Sequence, residues 1–276
     1  MEAIALSNLG GVGALPGLNL QFVMESLATV FLASLRVGAF LIASPFFGGT
    51  SVPLQPRIII AVLLGVAVVT NVTVPSWQSF DAMTGFLVIL TELAIGIGAG
   101  LILTIWFSSA LLAGEKIATS AGLSFAAQID PDTGGQTPVV SKIFSIFLTV
   151  LFLSWNGHLV VLRAILDTYQ FMPVGALPNI DALVAGGLTA AGSMFFAATI
   201  IMLPITGFLV AINLAVGVIS RSSPQMNLFA IGFPISMIVI FILLYMWVDA
   251  LGHSLIELSQ TAVESVTAVL GTMING

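Results

Sequence analysis

The sequence predicts an all-α integral membrane protein with about six long apolar helices, some of them broken or hairpin-like. Two observations carry that prediction. Of 276 residues, 58% are hydrophobic and only 7% are charged, whereas an ordinary soluble domain carries roughly 25% charged residues. The second is segmental. The stretches 22–44, 58–75, 83–113, 143–162, 183–218 and 229–256 are apolar over about the 20 residues needed to cross a hydrocarbon core. In lipid an unpaired backbone amide finds no water, so such stretches must be helices.

Turn chemistry separates them. Ser44-Pro45 and Val52-Pro53 divide the first two stretches, and Pro75 to Asp81 divides the second from the third. Asp130-Pro131 and Gly134-Gly135 lie in the longest polar gap, followed by Met172-Pro173 to Asp181 and by Ser222-Ser223-Pro224. Residues 83–113 and 183–218 would form helices of roughly 46 and roughly 54 Å at 1.5 Å per residue. Both overshoot a bilayer, so they are expected to be kinked (Pro204 is placed for this) or to run past the membrane against partner chains. Residues 1–21 read as a flexible lead-in without the basic region of a secretory signal. The core is 22–256 and the tail 257–276, all in one membrane domain spanning 1–276. On a serpentine path, Arg57, Lys116, Lys142 and Arg221 fall in the odd gaps and only Arg163 in the even ones, which places the odd gaps in the cytoplasm and both termini outside.

Composition excludes several function classes. Twelve acids against six bases disfavour nucleic acid, whose binders need clustered cations. The absence of cysteine removes disulfides, thiolate metal sites and thiol catalysis. No metalloprotease, nucleophile-elbow or phosphate-loop motif is present, so no enzyme, cofactor or metal is expected. Gly96, Gly98 and Gly100 lie mid-helix, and Gly96 with Gly100 makes a G-x-x-x-G face for close helix packing. Glu25, Arg36 and Glu92 stand in apolar segments. There a charge marks an ion path or, the favoured reading, a buried pair or inter-subunit contact. Glu115 and Lys116 close the third stretch, and neighbours in sequence do not face each other on a helix. Asn156 precedes His158, for which an interfacial hydrogen bond is a better expectation than a metal site. The run from Ala121 to Lys142 begins apolar and ends broken, as a re-entrant loop or a plain cytoplasmic loop would.

Several short sequences, in order, resemble one family. They are Gly114-Glu115-Lys116, Gly122-Leu123-Ser124-Phe125, Asp130-Pro131, Asn156-Gly157-His158 and Pro173-Val174-Gly175. Asn213 to Gly217, Arg221, Pro224 to Phe229 (with Gln225 and Asn227) and Gly232-Phe233-Pro234 follow. From about residue 22 to 256 the chain resembles the FliR family of flagellar export-apparatus membrane proteins and, more distantly, their virulence type III secretion counterparts. The resemblance implies a subunit of the export gate, one copy beside several copies of FliP and FliQ. FlhB would bind on the cytoplasmic side and FlhA at the entry, within the basal-body ring of the bacterial inner membrane. It implies a FliP-like part followed by a FliQ-like hairpin, with unfolded flagellar polypeptides as cargo. The family's plug loop would correspond to about 122–137. Leu123, Phe125 and Ile129 would form its apolar stopper, and Gly122, Gly134 and Gly135 its hinges, around Ser124, Asp130 and Pro131. The rival reading from the residues is a proton- or ion-coupled small-solute transporter, supported by Glu92 and the proline-interrupted fifth stretch, and within the family the alternative is a virulence type III secretion export-gate subunit.

Overall fold

A computed structural model of the chain describes residues 20–49, 52–122, 139–222 and 228–274. All regular structure in these residues is helical. The helices are α1 (Leu20–Ala43), α2 (Leu54–Asn71), α3 (Ala82–Ser120), α4 (Val139–Ser154), α5 (Gly157–Phe171), α6 (Ile180–Ser222), α7 (Leu228–Met246) and α8 (Val248–Ile274), with a short 3-10 turn at Trp77–Ser79. Four of them, α1, α2, α3 and α6, are each long and apolar enough to cross a membrane. The pairs α4–α5 and α7–α8, bent by 66° and 68°, raise the number to six if each pair is one crossing. The chain is thus an all-α multi-pass membrane protein.

The bends correct two of the expected stretches. Residues 143–162 are not one rod: α4 ends at Ser154, and Asn156 turns the chain in the left-handed region at φ 62°. Asparagine tolerates that region far better than most residues. Residues 229–256 likewise divide at Trp247. The segment from 257 onward, expected as a tail, is the second half of α8. Leu258, Ala262, Val266, Leu270 and Met273 recur every three or four residues there and are buried, which is the apolar stripe of a helix packed on a core.

The long helices exceed expectation. α3 has 39 residues and α6 has 43, roughly 58 and 64 Å of helix against a hydrocarbon core of about 30 Å. α6 passes Pro204 without ending. Its start is built locally: the Asn179 side chain accepts from the Ala182 N–H at 3.1 Å, and Asp181 occupies the first turn. A capping oxygen and an acid both complement the positive helix N-terminus.

Contacts fix the path. α1 and α3 run parallel, because Gly96 meets Arg36 and Phe40 while Gly100 meets Ala43 and Ser44. α4 returns along α3, with Gly114 against Ser141 and the Phe107 and Phe152 rings 5.1 Å apart. α6 again runs parallel to α3, from Leu183 beside Gly98 to Asn213 bonded to Ser120. α8 comes back along α6, with Trp247 beside Phe208 and Val269 beside Gly186. Because α6 begins level with Gly98, the C-terminal half is shifted along α3.

Candidate functional site

Two places gather the polar residues. The first is deep. Arg36 on α1 and Glu92 on α3 are both fully buried. The Arg36 Nε donates to Glu92 Oε2 at 2.9 Å and Nη2 donates to Oε1 at 3.0 Å, the forked geometry that makes such pairs strong. The remaining donors are used as well. Nη1 reaches Thr168 Oγ1 at 2.8 Å, and Nη2 also reaches the Met172 carbonyl at 3.1 Å. The guanidinium lies 4.2 Å from the centre of the Tyr169 ring, within range of a cation–π contact, while the Tyr169 hydroxyl donates to the Ala33 carbonyl at 2.7 Å.

Glu92 has a further donor. The Gly175 N–H points at Oε1 from 3.4 Å. Gly175 holds φ 91°, a conformation that glycine adopts without cost, and this turn brings the chain after α5 back onto α3. The cluster therefore ties α1, α3, α5 and the α5–α6 connection at one point. Both charges in it are buried and paired with each other. Arg36 and Glu92 were legible as intramembrane charges; Thr168, Tyr169 and the Met172 carbonyl were not, since nothing in their local sequence marks them. Glu25, the other acid in an apolar segment, accepts from Ser76 Oγ at 2.7 Å.

The second place is the foot of the long gap. Leu123, Ser124, Phe125, Ile129, Asp130, Pro131, Gly134 and Gly135 lie outside the described residues, as do Gln225 and Asn227. Gly122 is described. It closes α3 at φ 81°, its N–H donating to the Thr119 carbonyl at 3.0 Å. Eight residues earlier, a Cβ on Gly114 would stand 2.6 Å from the Ser141 Cα, so only glycine lets α3 and α4 approach this closely where they flank the gap. Asn213 braces the same end. Its Nδ2 donates to the Ser120 carbonyl at 3.0 Å, and its Oδ1 accepts from Ser236 Oγ at 3.1 Å, tying α6 and α7 to the end of α3. Glu115, Lys116 and Arg221 are exposed.

Gly96 and Gly100 face α1. A Cβ on Gly96 would collide with the Arg36 carbonyl, and one on Gly100 would stand 2.7 Å from Ala43 Cβ. The His158 Nδ1 is buried without a hydrogen-bond partner among the described residues, and its ring lies 6.2 Å from Phe46 and 6.5 Å from Phe152. No group of three His, Asp or Glu suited to a metal occurs among the described residues.

Comparison with known proteins agrees with this architecture. The family model described as bacterial export proteins, family 1, matches residues 27–262, from within α1 to within α8. The flagellar biosynthetic protein FliR of Escherichia coli (strain K12) is 33% identical over 207 residues, 74% of this chain and 78% of that protein. Its namesake in Bacillus subtilis (strain 168) is 30% identical over 225 residues, 80% of this chain and 86% of that protein. The protein of that name from Caulobacter vibrioides is 28% identical over 253 residues, 88% and 95% of the respective chains.

Proposed function

This chain belongs to the bacterial export proteins, family 1, and from that membership we propose that it is a subunit of the flagellar type III export gate. It is a structural component of the export apparatus, built into the membrane by several crossings. The observation that carries the reading is the family match over nearly the whole helical core, and the proportions of that core agree with it. α6 exposes Val184, Leu188, Phe195, Phe196, Ile200, Leu203, Val210 and Leu214 along more than half its length, an apolar face too tall for a 30 Å hydrocarbon slab to cover alone. Neighbouring subunits would cover the remainder.

In this reading the chain is a single copy packed beside several copies of FliP and FliQ in the bacterial inner membrane. FlhB contacts its cytoplasmic side, FlhA surrounds the entry, and the basal-body ring encloses the assembly. Unfolded flagellar polypeptides pass through the shared conduit, driven by other components. The segment 122–137 seals the idle channel, with Leu123, Phe125 and Ile129 as the stopper, since an apolar constriction excludes ions by dewetting. The transporter alternative has lost its main support, because Glu92 is locked against Arg36 and closed to solute.

Native mass spectrometry of the tagged chain, purified in mild detergent from cells expressing the whole operon, tests this. A complex holding one copy with several copies of two smaller hydrophobic proteins is expected. A monomer or homodimer, with those proteins present in the same cells, refutes it.

A further inference from the structure

α1 and α2 pack antiparallel. A Cβ on Gly38 would stand 3.4 Å from the Ala61 Cβ, and Gly65 lies against Ser34, so Ile42 comes level with Arg57. The small residues along this contact leave a furrow of about 250 Å³ between the two helices. Ser34, Ala39 and Ala61 form its buried floor, while Phe31, Ile42, Ile58 and Val62 stand exposed along it. From Phe31 to Ile42 it runs roughly 17 Å at 1.5 Å per residue. Spread over that length, the volume gives a width of roughly 4 Å, the spacing of carbon atoms in contact. One hydrocarbon chain fits such a furrow, and a helix about 10–12 Å across does not.

Arg57 lines the furrow at the end where α1 and α2 are joined. Its Nη2 donates to the carbonyls of Gly49 and Val52 and so holds that connection. Its Nη1 bonds no described residue and, unlike Nε, is not buried. The cation also lacks an acid. The ion pairs among the described residues are Arg36–Glu92 and Arg163–Asp167. Glu25, the one acid on α1 or α2, sits toward the far end of α1, roughly 26 Å of helix from Ile42. Leu54, Ile58, Ile59 and Leu63 on α2 are more than half exposed, a surface suited to hydrocarbon on a helix apolar enough to cross a membrane.

We propose that Arg57 and the α1–α2 furrow bind one anionic phospholipid. Its phosphate meets the Arg57 guanidinium, and one acyl chain lies along Gly38 and Ala61. Charge complementarity selects the headgroup, since guanidinium pairs strongly with phosphate oxygens and basic pockets between membrane helices capture anionic headgroups. The furrow selects a lipid over a free phosphate, which would leave the apolar wall beyond Arg57 uncovered. Its width selects an acyl chain over a partner helix. The proposal requires only that α1 and α2 lie in the membrane, so it stands or falls separately from the export-gate reading.

The test places a photo-crosslinking residue at Ile58 of the full chain, purified with its accompanying subunits. The preparation is reconstituted in bilayer discs of phosphatidylglycerol and phosphatidylcholine, and mass spectrometry of the adducts reads the headgroup. At 58 the ratio of anionic to zwitterionic adducts should exceed that of the bilayer about tenfold, the worth of one net charge-assisted bond. At Leu63, exposed on α2 but outside the furrow, the ratio should match the bilayer. Arg57→Gln should return the ratio at 58 to the bilayer value, and Arg57→Lys, which keeps the charge, should retain part of the excess. Because Arg57 also holds the α1–α2 connection, Val62→Trp provides a second variant: it fills the furrow, leaves the cation in place and should lower the excess as well. A polypeptide adduct at 58, no lipid adduct, a ratio equal to the bilayer's, or an excess that survives either Arg57→Gln or Val62→Trp overturns the proposal.

Discussion

Arg36 shows how much one residue can organise in an apolar interior. Its guanidinium holds Glu92, Thr168 and the Met172 carbonyl, and lies against Tyr169, so three helices and a connection depend on a single charge. Ion pairs in low dielectric gain little over a well-packed apolar pair, whereas removing one partner strands the other charge. Arg36→Met or Glu92→Leu alone should therefore cost about 3–5 kcal/mol, while the double variant recovers most of that loss. Chemical denaturation of the purified complex, read by release of the chain, measures both; additive losses would show that the pair contributes more than mutual neutralisation. The sequence displayed both charges but not their pairing, because 56 positions separate them and helical periodicity is a local signal. The glycines were more legible. Gly96 and Gly100, spaced to clear one face of α3, meet α1 there.

At the scale of the element, what could be read depended on whether a break had a chemical signature. The α4–α5 bend has one in Asn156-Gly157, a turn dipeptide, though hydropathy alone runs straight through it. The α7–α8 bend falls at Met246-Trp247-Val248, where neither Gly, Pro nor Asn marks the turn, so tertiary packing decides it. The end of α8 was missed for the opposite reason. Glu257, Gln260 and Glu264 lower the mean hydropathy while the apolar stripe continues on the other face. That stripe makes a prediction. Leu270 is 3% exposed, so Leu270→Ala should cost about 2–5 kcal/mol as a core truncation does, while Thr267→Ala beside it should stay within about 0.5 kcal/mol. Thermal unfolding of the detergent-solubilised complex distinguishes them, and equal small shifts would mean that 257–274 does behave as a tail.

Across the whole molecule, the consequence of staggered helices is height. Thr104 Oγ1 bonds the Ala43 carbonyl at 2.7 Å, so α1 ends level with residue 104, and the 16 further residues of α3 rise roughly 24 Å beyond it. The two feet of the 122–137 segment, Gly122 just past the end of α3 and the start of α4 beside Gly114, are carried on that extension. A composition profile sees only that α3 is too long; the contacts of α4 and α6 show what the extra length supports. Replacing 122–137 by a short Gly-Ser linker should leave the helices docked, because Gly114–Ser141 and Asn213–Ser120 hold the feet without the loop. If that segment is the seal, the assembled variant complex should conduct small ions in a planar bilayer where the intact complex is silent, and cells carrying it should leak. Silence from a variant whose subunit composition is unchanged would assign the barrier to another subunit and leave this chain as a wall of the conduit, without its stopper.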